Sequence, residues 1–184
     1  LQKWLDEALH AEALESTAMT LSTSDKNGRV TSRTVLLKEL KNEGLVFYTN
    51  YNSVKGRQLK ENPFASALFY WAELERQVRV EGTTEKISTE ESDRYFESRP
   101  EASKIGAWAS DQSTETPDRE YLEQKQNEYA EYFRNKKIER PPNWGGYIIK
   151  PVRFEFWQGR ENRLHDRIEY SPEDQKWIIR RLAP

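Results

Sequence analysis

The stretch "TAMTLSTSDKNGRVTSRTVLLKEL", residues 17–40, decides the fold class. Its centre, "DKNG", is a turn containing Asn27-Gly28, and the runs on either side read as two strands. Strands joined by so short a turn are antiparallel, because a parallel pair needs a long crossover.

The same pattern continues outward. "KNEG" (41–44) is a second turn, leading into the strand "LVFYTN". A short helix, "SVKGRQLKEN", follows a Ser53 cap, and "FASALFYWAEL" and "RQVRVEGTTEKI" supply two more strands. Upstream, Leu1, Trp4, Leu5, Ala8 and Leu9 share one stripe of an amphipathic first helix. The middle of the chain is helical. Ser88 and Glu91 have capping-box spacing, Pro100 suits the first turn of the next helix, and Thr116-Pro117 opens a third. That third segment carries Leu122, Tyr129, Tyr132 and Phe133 on its apolar side. After the breaker "RPPN" come four strands: "WGGYIIKP", "VRFEFWQG", "RLHDRIEY" and "KWIIRRL". Early strands, a helical insert and late strands predict an α+β fold in one domain, residues 1–184, with helices to one side of an antiparallel sheet. About eight strands would suffice to close a small barrel, although periodicity alone does not establish closure.

Composition narrows the function. A third of the residues are charged, and the mean hydropathy is −0.99. Six tryptophans and an aromatic content of 12% nevertheless mark a chain that folds. The net charge of −2 gives the whole molecule no electrostatic reason to seek nucleic acid or an anionic membrane. The absence of cysteine excludes thiolate chemistry and disulfides and suits a reducing compartment, so a cytoplasmic location is expected. Two histidines, His10 and His165, are too few for a multi-histidine metal site, so no metal is expected. No apolar run reaches membrane-spanning length. The chain starts at Leu1 without methionine, and an N-terminal segment is expected to be missing.

Any anion site must therefore be a local concentration of cations, made by side chains, since no phosphate-binding glycine loop occurs. Four clusters qualify. Arg33 and Lys38 bracket "TVLL"; five positions apart on one strand, they face opposite sides and could serve two ligands. Lys55 and Arg57 start the short helix. Tyr95 and Arg99 share a helical face, with Lys104 nearby. Arg163, His165 and Arg167 alternate in "RLHDR", so on a strand they project together and call for an anion between them. His165 could equally be a histidine satisfied within a hydrogen-bond network, and Trp157 a core residue. Read alone, the residues reach only a site for a small, anionic, planar ligand.

Ten stretches in order, "SRTVLLK" (32–38), "FYTN" (47–50), "NPFASALFYW" (62–71), "RQVRVEG" (76–82), "YFESRP" (95–100), "SKIGAWAS" (103–110), "WGGY" (144–147), "EFWQG" (155–159), "RLHDR" (163–167) and "RLAP" (181–184), resemble the pyridoxine (pyridoxamine) 5'-phosphate oxidase family. The resemblance implies an FMN-binding split barrel that forms a homodimer with FMN at the subunit interface. It implies oxidation of pyridoxine or pyridoxamine 5'-phosphate to pyridoxal 5'-phosphate, with dioxygen as acceptor and hydrogen peroxide released. By position, it assigns FMN to Arg33, Thr34, Val35, Leu36, Leu37, Lys38, Tyr48, Thr49, Lys55, Gln77, Gln112, Ser113, Trp157 and Arg167. It assigns the substrate to Lys38, Tyr95, Arg99, Ser103, Arg163, Leu164 and His165, with Arg163 and His165 in the catalytic role. Val54 stands where the family often has arginine, which implies one cationic FMN contact fewer. The alternative from another class is a non-catalytic split barrel that carries or senses flavin or pyridoxal phosphate. Such a protein would have no use for the whole substrate set.

Overall fold

The computed structural model describes residues 1–11, 13–174 and 176–184. The 17–40 hairpin forms as expected, from β1 (Ala18–Ser24) and β2 (Val30–Leu36), paired from Ala18–Leu36 to Ser24–Val30. Gly28 takes φ +79° at the tip, a left-handed conformation that costs glycine little. Its N–H donates to the Asp25 carbonyl at 3.0 Å, while Asp25 N–H donates to Arg29 O at 3.2 Å. The turn is therefore a three-residue loop with glycine in the left-handed position.

β2 does not run on through residue 40. The chain breaks at Leu37–Lys38 and resumes as β3 (Glu39–Lys41). β4 (Gly44–Asn50), β5 (Phe64–Trp71), β6 (Arg76–Lys86), β7 (Trp144–Gln158), β8 (Asp166–Glu173) and β9 (Lys176–Leu182) complete the sheet. Every pairing is antiparallel, in the order β2-β1-β5-β6-β7-β4-β3, with β8 on β7 and β9 on β8. The two ends of that order, β2 and β3, are consecutive in the chain, and Lys38 N–H donates to Val46 O at 2.9 Å across the link. The sheet thus curls back on itself as a split barrel.

"WGGYIIKP" and "VRFEFWQG" are one strand, not two. β7 runs for 15 residues; Pro151 pairs with Gly82 of β6, and Val152 is the extra residue taken up by a register shift between Glu81 and Gly82. A Cβ at Gly82 would lie 2.2 Å from Lys150 O, so the close approach there requires glycine.

Alternating residues of the strands fill the barrel: Met19, Leu21, Leu45, Phe47, Ala67, Phe69, Val78, Val80 and Ile149 are fully buried. Each large one contributes about 1.5–3 kcal/mol by leaving water. α1 (Gln2–His10) closes one side, with Trp4 edge-on to Phe156 at 5.3 Å, although Leu9 of the expected stripe is exposed. α2 (Val54–Glu61) starts where the Ser53 hydroxyl accepts from Gly56 N–H. α3 (Thr89–Ser98) starts at Ser88, whose hydroxyl accepts from Glu91 N–H at 3.1 Å; the Glu91 carboxylate pairs with Lys41. α4 (Glu101–Ala109) has Pro100 as its cap, and α5 (Arg119–Phe133) is capped by Asp118 rather than opened at Thr116-Pro117. α5 lies on the outside, packed on Trp108 of α4. Of its expected apolar side only Phe133 is buried. No described helix is long and apolar enough to cross a membrane.

Candidate functional site

The break after β2 matters because it turns Lys38 into a cavity of about 530 Å³. Thr34, Val35, Leu36 and Lys38 form one wall, and Tyr48, Thr49 and Asn50 at the end of β4 form the floor beside them. Lys55 enters from α2. Tyr95 and Arg99 come from the end of α3, and Ser103, Gly106, Ala107, Ser110 and Gln112 from α4 and its exit; Trp144 begins β7. Three of these residues are cations, and among the described residues the lining contains no carboxylate. In a protein of net charge −2 this is a local field built for anions.

Lys55 is 7% exposed and meets only neutral acceptors: Thr49 Oγ1 at 3.2 Å, Gln112 Oε1 at 3.3 Å and Ser53 Oγ at 3.4 Å. Burial, reinforced by the Arg33 charge, pushes its ammonium pKa down to about 8. Arg33 does not line the cavity; it donates to Leu21 O at 3.1 Å and Thr23 Oγ1 at 2.7 Å. Leu37 is turned into the core, as the neighbour of a cavity-facing Lys38 must be. Ser113 sits at the rim, where its hydroxyl accepts from Val54 N–H at 3.3 Å.

Arg99 also has no acidic partner among the described residues. Its guanidinium lies over the Trp144 ring at 4.6 Å, and Nη1 is buried without a hydrogen-bond partner. Desolvation lowers its pKa, and desolvation raises that of Tyr95 next to it. A buried, unpaired guanidinium N–H is costly unless a ligand satisfies it. The donor set therefore fits phosphorylated ligands.

The remaining predicted residues lie elsewhere. Gln77, Trp157 and Arg167 form a cross-strand row on β6, β7 and β8, with His165 tilted against Trp157 at 4.7 Å. None of them lines the cavity, nor do Arg163 and Leu164. The expectation that Arg163, His165 and Arg167 share one strand face is wrong. β8 starts only at Asp166; Asn162 and Arg163 have φ of +56° and +62° in a 3-10 turn, Glu161–Arg163. Nor is a ligand needed to balance Arg167. Its fork grips Glu155 of the neighbouring strand, Nε to Oε1 at 2.9 Å and Nη2 to Oε2 at 3.1 Å. His165 Nδ1 accepts the Arg160 backbone N–H at 3.1 Å, which leaves the proton of a neutral ring on Nε2.

Residues that sequence reasoning missed are Asn50, Gly106, Ala107, Ser110 and Trp144. The helical spacing 103, 106, 107, 110 was available once Ser103 was suspected; nothing local marked Trp144 as a cavity residue.

Comparison with known proteins agrees with this geometry. Residues 5–133 match the family model described as "Pyridoxamine 5'-phosphate oxidase", and residues 144–184 match "Pyridoxine 5'-phosphate oxidase C-terminal dimerisation region". The chain belongs to the pyridoxamine 5'-phosphate oxidase family. It is thereby an oxidoreductase of that FMN-dependent family. A pyridoxine/pyridoxamine 5'-phosphate oxidase of Ralstonia nicotianae is 54% identical over 184 residues, covering 100% of this chain and 86% of the relative. Among solved structures, PhzG from Burkholderia lata, in complex with tetrahydrophenazine-1-carboxylic acid, superimposes with a TM-score of 0.94 at 32% identity. That match covers 100% of this chain and 90% of PhzG. An oxidase-related, FMN-binding protein of Nostoc punctiforme shares the fold, with a TM-score of 0.78 at 20% identity, covering 100% of this chain and 97% of that one. The oxidase family's dimerisation region contains β7, β8 and β9, and so the Trp157, His165 and Arg167 group.

Proposed function

We propose that the protein oxidises pyridoxine 5'-phosphate or pyridoxamine 5'-phosphate to pyridoxal 5'-phosphate, in a homodimer with FMN at the interface. The single observation that carries this reading is a cavity with three cations and no carboxylate among the described residues. Two phosphorylated ligands explain why those cations come from separate elements. Lys55, with Thr49 and Gln112, holds the FMN phosphate region, and the Thr34–Leu36 strand supplies backbone along the flavin. Lys38, Tyr95, Arg99 and Ser103 hold the substrate phosphate. Within one copy the row Gln77–Trp157–Arg167 does not line this cavity; we read it, with Arg163 and His165, as what the second copy brings to the site.

FMN, when bound, would supply the two-electron acceptor, with dioxygen leaving as hydrogen peroxide; for the amine substrate, water supplies the aldehyde oxygen and ammonia is the co-product. The chain's own work is placement. Charge-assisted contacts to the substrate phosphate fix one end of a planar molecule, and loss of alignment at the other end is costly in rate. Arg163 and the Nε2–H of His165 cover the pyridine ring and hold its polar substituents. No nucleophile is required of the protein.

Purified protein should be yellow, and pyridoxamine 5'-phosphate under air should yield peroxide and pyridoxal 5'-phosphate. An FMN-loaded sample that gives neither is a carrier, not an enzyme. Arg163→Ala and His165→Ala should each lower kcat/KM by about 100-fold while FMN stays bound, as expected for groups that act on the substrate. Loss of flavin from either variant would place these residues on the cofactor instead.

A second expectation follows from Lys55. Its pKa is about 8 in the free protein, and an adjacent phosphate dianion raises it. Below pH 8 the ammonium is charged with or without FMN, so affinity is flat in this respect. Above pH 8 binding must take up a proton, and Kd for FMN should rise by up to about tenfold per pH unit. The phosphate is already dianionic there, its second pKa being about 6. Fluorescence titration of the apoprotein from pH 7 to 10 measures this, and Lys55→Arg should flatten the profile. A flat wild-type profile removes Lys55 from the FMN site.

A further inference from the structure

We propose that Trp144 is a positioning residue for substrate recognition: its indole face holds the Arg99 guanidinium at the angle and depth at which it meets the substrate phosphate. The inference deepens the proposed function and rests on Arg99 as a phosphate ligand.

Arg99 is half-buried, with Nη1 fully out of water, yet among the described residues no carboxylate pairs with it; aromatic faces hold it instead. Its guanidinium carbon stands 4.6 Å from the centre of the Trp144 ring and 5.7 Å from that of Phe96. An aromatic face attracts a cation without neutralising it and without occupying its in-plane N–H donors. A carboxylate would do both. The buried, unpartnered Nη1 of Arg99 is the donor kept free by this arrangement.

Trp144 is itself immobilised. Its ring is nearly parallel to Tyr95 (2°, 6.2 Å) and Tyr48 (11°, 5.4 Å), and these two tyrosines stack on each other at 3.8 Å. Phe96 closes an edge at 5.3 Å. The backbone is pinned as well: Trp144 N–H donates to Pro141 O at 3.1 Å, its carbonyl accepts from Arg140 Nη1 at 2.5 Å, and its residue is in register with Asn50 of β4. The stack thus ties the barrel strands β4 and β7 to the end of α3, from which Tyr95 and Arg99 both project. A rigid shelf of this kind removes rotamer entropy from Arg99 before the substrate arrives.

The test is a double-mutant cycle on the FMN-loaded dimer with Trp144→Leu, Arg99→Ala and the pair. KM and kcat are read with pyridoxamine 5'-phosphate, and Kd is measured for pyridoxal 5'-phosphate by calorimetry. Trp144→Leu should raise KM and that Kd by about tenfold with kcat within about twofold, the size of a desolvated cation–π contact. In the Arg99→Ala background the same change should add less than about twofold, because the residue acts through Arg99. Trp144→Phe retains a ring face and should recover most of the loss; it carries the test if Trp144→Leu fails to fold. Effects that multiply, with Arg99→Ala itself raising KM, overturn the positioning role alone. An Arg99→Ala variant with unchanged KM overturns the phosphate reading and the positioning role with it. A Trp144→Leu variant with unchanged KM and Kd overturns the positioning role.

Discussion

Glu155→Ala should destabilise the protein by about 1–3 kcal/mol, the cost of removing a buried carboxylate whose charge-assisted hydrogen bonds hold two partly exposed arginines. Glu155 is only 3% exposed, and both its oxygens are engaged. Arg167 grips it in a fork, and Arg79 Nη2 donates to Oε2 at 2.6 Å. Truncation leaves two arginines facing each other across β6, β7 and β8 without their shared anion. For a chain of this size the loss corresponds to a drop in Tm of roughly 5 °C. Glu155→Gln keeps the shape but cannot serve two cations and should fall between. The fork of Arg167, chiefly, holds the Glu155 carboxyl below the usual carboxylate range. A depressed folded pKa contributes stability that is present above the unfolded value and is lost as pH falls through the folded one. The stability gap between wild type and Glu155→Gln should therefore be full at neutral pH and shrink under acid conditions. Denaturant unfolding at several pH values measures it, and a loss below about 1 kcal/mol at pH 7 would mean that the pair is no better than a surface ion pair.

Arg99→Ala should raise KM for pyridoxamine 5'-phosphate by about 100-fold, since it deletes a charge-assisted contact made in a desolvated site. The effect should fall on KM more than on kcat, because the phosphate is bound alike in ground and transition states. Arg99→Lys keeps the charge but loses the planar fork, and should recover only part of the loss. Steady-state kinetics with FMN-saturated protein decide this, and an unchanged KM would take Arg99 out of the phosphate site.

Much of this was legible in the chain. Gly28 announced a hairpin because a tight turn needs a left-handed residue, and short turns imply antiparallel strands whatever the rest of the protein does. Tyr95 and Arg99 could be placed on one face because helical spacing is local, and they do line one cavity. Lys38 and Lys55 stood out as local cations, and resemblance to the oxidase family added Ser103 and Gln112, which meet them in that same cavity. The "RLHDR" motif misled for a local reason. Left-handed Asn162 just before it and left-handed Arg163 at its start end the alternation that a strand would have imposed.

What the sequence by itself determined is the type and order of most elements and the absence of chemistry based on thiols or multiple histidines, since turn residues, periodicity and composition act over short range; the split of β2 from β3 and the continuity of β7 came from pairing. Only the tertiary structure decided which charges are spent and which are free. Arg167 is neutralised by Glu155, twelve positions away, because β7 and β8 are paired in that register. Arg99 stays free because the register of β7 on β4 puts a tryptophan ring beneath it, 45 positions along the chain. Spacing along the chain does not encode either partner; strand pairing does.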